Sequence, residues 1–163
     1  MYRSVINLMY LLTIISASYA TCAAQESWLL QTSDGAWKKF NKESPWQKAV
    51  KEIHPLETAV VNRTTRNIRV VHDLQGESGD WRNVDRYVFQ VNGSLISLER
   101  TFVSVSQGIK LSQVFELDGS RKLRKKLDRG ISLATGKATT EVPDKPEIPI
   151  ATNIDQLDFM KVD

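Results

Sequence analysis

Two histidines, one serine set between glycines and one run of lysine and arginine are the residues of this chain whose types invite a chemical reading. His54 and His72 are the only histidines, and Cys22 is the only cysteine. A metal site takes three or four convergent ligands. Two histidines, no mature cysteine and scattered carboxylates offer no such set, so we expect both histidines to be structural, with no metal and no cofactor. The carboxylates single out no acid–base pair, and no glycine-rich phosphate loop is present. We therefore expect no enzyme activity.

The stretch Gly-Glu-Ser-Gly-Asp-Trp at 76–81 resembles the Gly-Asp-Ser-Gly-Gly motif around the nucleophile of trypsin-like serine proteases. The resemblance covers about five residues and would make Ser78 the nucleophile. Asp80 stands where the motif ends in glycine, and neither histidine lies in an Ala-His-Cys setting. The same Asp80 breaks the G-x-S-x-G elbow. A triad needs its partners in geometry, and none is implied here, so the stretch reads as a glycine-rich turn.

The run Arg-Lys-Leu-Arg-Lys-Lys-Leu-Asp-Arg at 121–129 is the one marked charge feature. Its plain reading is a solvated edge strand, where lysine discourages pairing with other chains. Its sharper reading is a patch for anionic lipid headgroups or an anionic polymer. The candidate site residues are Arg121, Lys122, Arg124, Lys125 and Lys126. The net charge of +3 is too mild to argue for nucleic acid.

The chain opens with Arg3, an apolar run from Val5 to Ile15, then small residues. That order is the layout of a secretory signal, and the run is shorter than the roughly 20 residues a bilayer span needs. Cleavage is expected after Ala24, with Ala20 as the other position. Lipid anchoring through Cys22 is disfavoured, because Tyr19 and Thr21 are poor matches to a lipoprotein signal. The mature chain would then have no cysteine and no transmembrane span. Its expected place is the periplasm or the exterior, with a bacterial envelope favoured.

These residues must be positioned by something. Residues 1–24 are expected as the signal, 25–142 as a single domain, and 143–163 as a tail with prolines at 143, 146 and 149. Leu157, Phe159 and Val162 are the residues expected to dock that tail. Residues 44–54 read as an amphipathic helix. Ser44 would be its cap, Pro45 its first position, and Trp46, Ala49, Val50 and Ile53 its apolar stripe. Trp28, Trp37 and Trp46 read as core anchors rather than a stacking platform. Strands are expected at 67–75, 84–91, 94–105 and 109–118, with one or two more within 121–142. The fold class is α+β: an antiparallel meander of five to six strands with the helix packed on one face.

An internal echo tests that architecture. Tyr87–Leu95 (YVFQVNGSL) returns as Ser112–Ser120 (SQVFELDGS). Asn92-Gly93 between apolar runs is a strong hairpin signal. A two-residue loop there sets Phe89 against Ile96, Tyr87 against Leu98, Arg86 against Glu99 and Asp85 against Arg100. In the second copy the apolar pattern prefers one more loop residue, with Phe115 against Leu123, Leu111 against Leu127 and Glu116 against Lys122. Both copies read as architecture, with any function in their difference. The expected role is a non-enzymatic binding or structural module of the cell envelope, whose partner is an envelope protein, an anionic lipid or a polymer. A carrier of a lipid or other hydrophobic ligand, or a small hydrolase without a recognisable motif, are the alternatives.

Overall fold

A computed structural model describes residues 24–162, so most of the signal-like segment, with Cys22, lies outside the described residues. The elements are β1 (Gln25–Gln31), β2 (Trp37–Phe40), α1 (Glu43–Ile53), β3 (Glu57–Arg63), β4 (Asn67–Gln75), β5 (Trp81–Gln90), β6 (Leu95–Ser104), β7 (Ile109–Leu117), β8 (Leu123–Ser132) and β9 (Ala138–Thr139). They form one antiparallel sheet of nine strands in the order β2-β1-β3-β4-β5-β6-β7-β8-β9. Among the described residues no helix is long and apolar enough to cross a membrane.

The expectation of five to six strands is therefore wrong, and the missing strands have physical reasons. β1 buries Leu29 and Leu30, neighbours that point to opposite faces, so it lacks the alternation of a strand with one wet face. β2 has four residues with two exposed lysines at its centre. β3 places small Ala59 at a core position, which weakens its pattern. β8 and β9 fill the expected one or two strands within 121–142, so the three unexpected strands are β1, β2 and β3.

The helix also sits differently from the expectation. It begins at Glu43 with Lys42 in the cap position and no side-chain cap, so Ser44 and Pro45 fall inside the first turn. It packs against β1 and β2 at one side of the sheet, where Trp46 Nε1 donates to the Leu29 carbonyl at 3.1 Å. It ends at His54, whose φ of 50° is left-handed and whose N–H closes onto the Val50 carbonyl.

The C-terminal segment, rather than the helix, covers the sheet's inner face. Ala151, Ile154, Leu157 and Phe159 are buried in one cluster with Leu29, Val61, Ile68, Val70, Phe89 and Leu98, and Val162 packs against it. Each large apolar side chain so buried contributes about 1.5–3 kcal/mol as an upper figure. Backbone bonds fix the docking: Leu95 N–H to the Thr152 carbonyl at 3.0 Å, and Ile154 N–H to the Gly93 carbonyl at 2.9 Å. Asn153 then caps a 3-10 turn, with Gln156 reaching back to the Asn153 N–H.

The β5–β6 register is partly as expected. Asp85 faces Arg100, Arg86 faces Glu99, and Tyr87 faces Leu98. Phe89 faces Leu95, however, and not Ile96. The loop is three residues, Val91-Asn92-Gly93, closed by Gln90 N–H to the Ser94 carbonyl, with Gly93 at φ 88°. Such loops place glycine at the left-handed third position. The extra loop residue is offset by a bulge between Val88 and Phe89, which leaves Ile96 unpaired and 42% exposed.

The expected β7–β8 register fails by more. Leu117 faces Leu123, Glu116 faces Arg124, Phe115 faces Lys125 and Leu111 faces Gly130. The loop is Gly119-Ser120-Arg121, closed by Asp118 N–H to the Lys122 carbonyl. Both echo copies thus carry three-residue loops, and the expected difference in length disappears. The copies differ in phase: Asn92-Gly93 ends its loop, whereas Gly119 begins the other. Asp118 fixes the shift, because its carboxylate accepts from the N–H groups of Ser120 and Lys122, both at 2.9 Å, and pins the turn two residues later than in the first copy.

Candidate functional site: a cleft under the C-terminal segment

Alternation along β5 sets Asn83, Asp85 and Tyr87 on the inner face, and all three are buried. Arg100 enters from β6 directly opposite Asp85. Its Nε donates to Asp85 Oδ1 at 2.8 Å and its Nη2 to Oδ2 at 2.7 Å. Asn83 Nδ2 donates to Oδ1 at 2.9 Å and the Tyr87 hydroxyl to Oδ2 at 3.1 Å. Arg100 Nη1 continues to the Ile148 carbonyl at 2.9 Å, tying the C-terminal segment to the sheet.

The electrostatics follow from this burial. Burial alone pushes the Arg100 guanidinium down, but the hydrogen bonds and charge of Asp85 more than offset it and hold it above its ordinary value. Burial, followed by the Asp85 charge, pushes the Tyr87 phenol far up, so it stays a neutral donor. Nearby Lys145 is lowered by burial and then by the Arg100 charge. Asn83 Oδ1 is the buried side-chain atom left without a partner among the described residues.

Beside this pair, the sheet and the C-terminal segment enclose a cleft of about 480 Å³. One wall is sheet, with Gln31, Trp37, Glu57, His72, Asp85 and Tyr87; the other is Ile148–Ala151 and Gln156–Phe159. Trp37, His72 and Phe159 form a tilted aromatic cluster. The Phe159 ring lies 5.0 Å from Trp37 and 4.9 Å from His72, centre to centre. His72 Nε2 meets Glu57 Oε2 at 3.3 Å. The cleft therefore offers apolar ring surface, the carboxylates of Glu57, Asp85 and Asp158, one imidazole, the Tyr87 hydroxyl and the amides of Gln31 and Gln156. Its lining contains no serine, threonine, cysteine or lysine.

Of the residues singled out in the sequence, His72 joins this site and His54 does not, being the left-handed end of α1. Ser78 is exposed in the β4–β5 turn, and no histidine hydrogen-bonds it among the described residues. No three His, Cys, Asp or Glu side chains among the described residues gather as a metal site would need.

The five basic candidates are spread over the β7–β8 turn and both faces of β8. Arg121 and Lys122 lie at the β7–β8 turn. Arg124, Lys125 and Lys126 lie on β8, paired respectively with Asp118, Asp128 and Glu116. Lys125 shares the inner face with Phe115 and Asp128, while Arg124 points outward beside Glu116.

Trp37, Glu57, Arg100 and Gln156 carry the cleft and its frame, and the sequence did not mark them for function. The one signal within reach is the Asp85–Arg100 pairing that the hairpin register predicts. No protein-family model, no curated protein and no solved structure matches the chain.

Proposed function

We propose that the protein is an exported, non-enzymatic binding module of the cell envelope that holds one small amphipathic molecule in the cleft between sheet and C-terminal segment. The observation that carries this reading is the cleft's make-up: an aromatic cluster on one side, a few convergent polar groups on the other, and about 480 Å³ between. That volume suits a single small ligand, within the roughly 300–1,000 Å³ common for such sites. The apolar face a longer lipid would need is occupied by Ile154, Leu157 and Phe159. Binding is favoured over catalysis because the lining sets no serine, threonine, cysteine or lysine beside the His72–Glu57 pair, and Asp85 is committed to Arg100. Tyr87 is held neutral first by its burial and then by the Asp85 charge. Export is supported by the order of charge, apolar run and small residues before Ala24.

The test is titration of the protein with N-phenyl-1-naphthylamine, a small neutral aromatic probe. Saturable binding at one site is expected, weakened more than about tenfold in Trp37→Ala and His72→Ala, which each remove one ring of the cluster. Binding without saturation, or unchanged in both variants, would overturn the reading.

A further inference from the structure

In an antiparallel meander every second turn falls at the same end of the sheet. The β3–β4, β5–β6 and β7–β8 turns share one end. Asn67 lies beside Gln90, and Ser97 beside Glu116, in adjacent ladders. Neighbouring tips are two strand spacings apart, about 10 Å. The charges sort by end. The tips carry Arg66, Arg121 and Lys122, with Arg63 and Arg69 just behind them. None of these five makes an ion pair among the described residues. Four acids face the same end. Glu26 accepts from Asn62 Nδ2, Asp118 is taken by Ser120 and Arg124, Glu116 meets Lys126, and Asp155 sits in the turn beside Asn153. At the other end, the turns at 32–36, 76–80, 105–108 and 133–137 carry Asp34, Glu77 and Asp80 against Lys137.

Two further features belong to the basic end. Val91, at the β5–β6 tip, is 59% exposed, and Ile96, expelled by the bulge, is 42% exposed. On the outer face, Glu26, Val60, Asn62, Thr64–Asn67, Arg69 and Val71 line a depression, so two arginines border it with hydroxyl and amide groups, while its one carboxylate, Glu26, accepts from Asn62. Unpaired cations around a protruding apolar tip suit a flat surface with negative charge outside and hydrocarbon beneath.

We propose that this end docks the protein on an anionic lipid bilayer. Arg66, Arg69, Arg121 and Lys122 meet the headgroup phosphates, and Val91 seats among the headgroups. Arg124, Lys125 and Lys126 are spent on carboxylates of the protein itself and are not part of the contact.

The test is co-sedimentation of the full chain with phosphatidylcholine vesicles, with and without phosphatidylglycerol. The apolar run at 5–15 can partition into either vesicle, so the readout is the difference between the two. Phosphatidylglycerol is expected to raise binding more than about tenfold at low ionic strength, and added salt to remove the gain. The variant Arg66→Glu/Arg121→Glu/Lys122→Glu is expected to lose that gain. A control with equal charge change elsewhere, Lys48→Glu/Lys51→Glu/Lys137→Glu, is expected to keep most of it. Val91→Ser, which changes no charge, is expected to weaken binding to anionic vesicles while leaving retention on immobilised heparin unchanged. No gain with phosphatidylglycerol, equal loss in the two triple variants, or heparin retention without vesicle binding would each overturn the proposal. Because the cleft is not involved, the naphthylamine titration should be unaffected by the tip variants.

Discussion

Arg100 stands directly opposite Asp85 across the β5–β6 ladder, and the guanidinium that grips Asp85 with two nitrogens reaches the Ile148 carbonyl with the third. One side chain thus joins the sheet's most buried charge to the segment that forms the cleft's other wall. Asp85 is 0% and Arg100 4% exposed. Removing one partner of such a pair leaves a stranded buried charge.

Arg100→Met is expected to destabilise the domain by about 3–5 kcal/mol in urea unfolding, because Asp85 stays buried without its counter-ion. Asp85→Leu/Arg100→Met is expected to regain only part of that loss, since neither charge remains but the buried donors of Asn83 and Tyr87 lose their acceptor. The double variant still lacks the bond to Ile148, so the C-terminal segment should be nicked faster by protease between 140 and 150. A double variant with wild-type nicking would mean that Arg100 does not anchor the segment.

The docking of that segment also depends on Gly93. A Cβ at Gly93 would lie 2.9 Å from Ile154 Cγ2, and the residue has φ 88°. Gly108 shares the left-handed backbone, at φ 66°, but has open space around its missing Cβ. Gly108→Ala should cost about 1 kcal/mol, from backbone conformation alone. Gly93→Ala should cost more, and only it should speed hydrogen exchange at the Ile154 amide, which donates to the Gly93 carbonyl. Equal effects of the two changes would show that the Ile154 contact is slack.

What the sequence made legible follows from which forces act locally. Asp85, Tyr87 and their partners were placed correctly because charge and apolar pattern agree over several consecutive pairs. Phe89 was not, because the choice between a two- and a three-residue loop rests on one glycine's φ. In the second hairpin the Asp118 side chain set the turn against the apolar pattern. The inner face was assigned to the helix because an amphipathic stripe is visible in sequence, while a proline-containing tail shows no periodicity. Its cover depends on Leu157 and Phe159 meeting Leu29, Val61 and Phe89, residues far away in the chain. The cleft exists only between those distant partners, so Trp37, Glu57 and Gln156 carried no local mark.

His54 provides a separate test of its structural role. It is the first residue after α1, at φ 50°, with its N–H on the Val50 carbonyl at 3.0 Å. Glycine is the usual occupant of that left-handed position, because it has no Cβ to crowd the following carbonyl. His54→Gly should therefore stabilise the protein by about 0.5–1 kcal/mol, with naphthylamine binding unchanged. A loss of stability would point to contacts of the imidazole that outweigh the strain.

Asp118 should leave a signature in acid. The Ser120 hydroxyl first, then Arg124 and the Lys122 N–H, hold its carboxyl down from 3.8 to about 2. The folded value lies below the unfolded one, so the charged form supports the fold. That support is complete above about pH 4 and is lost as pH falls through about 2. Asp118→Asn keeps an acceptor for the Ser120 and Lys122 N–H groups but cannot carry the charge that Arg124 meets. The stability difference between wild type and Asp118→Asn should therefore shrink between about pH 4 and pH 2, where the wild type alone gives up a charge. NMR titration of the Asp118 side chain gives the direct reading. A midpoint near 3.8 would mean that the bonds to Ser120 and Arg124 do not persist in solution, and that this side chain does not hold the turn in its shifted phase.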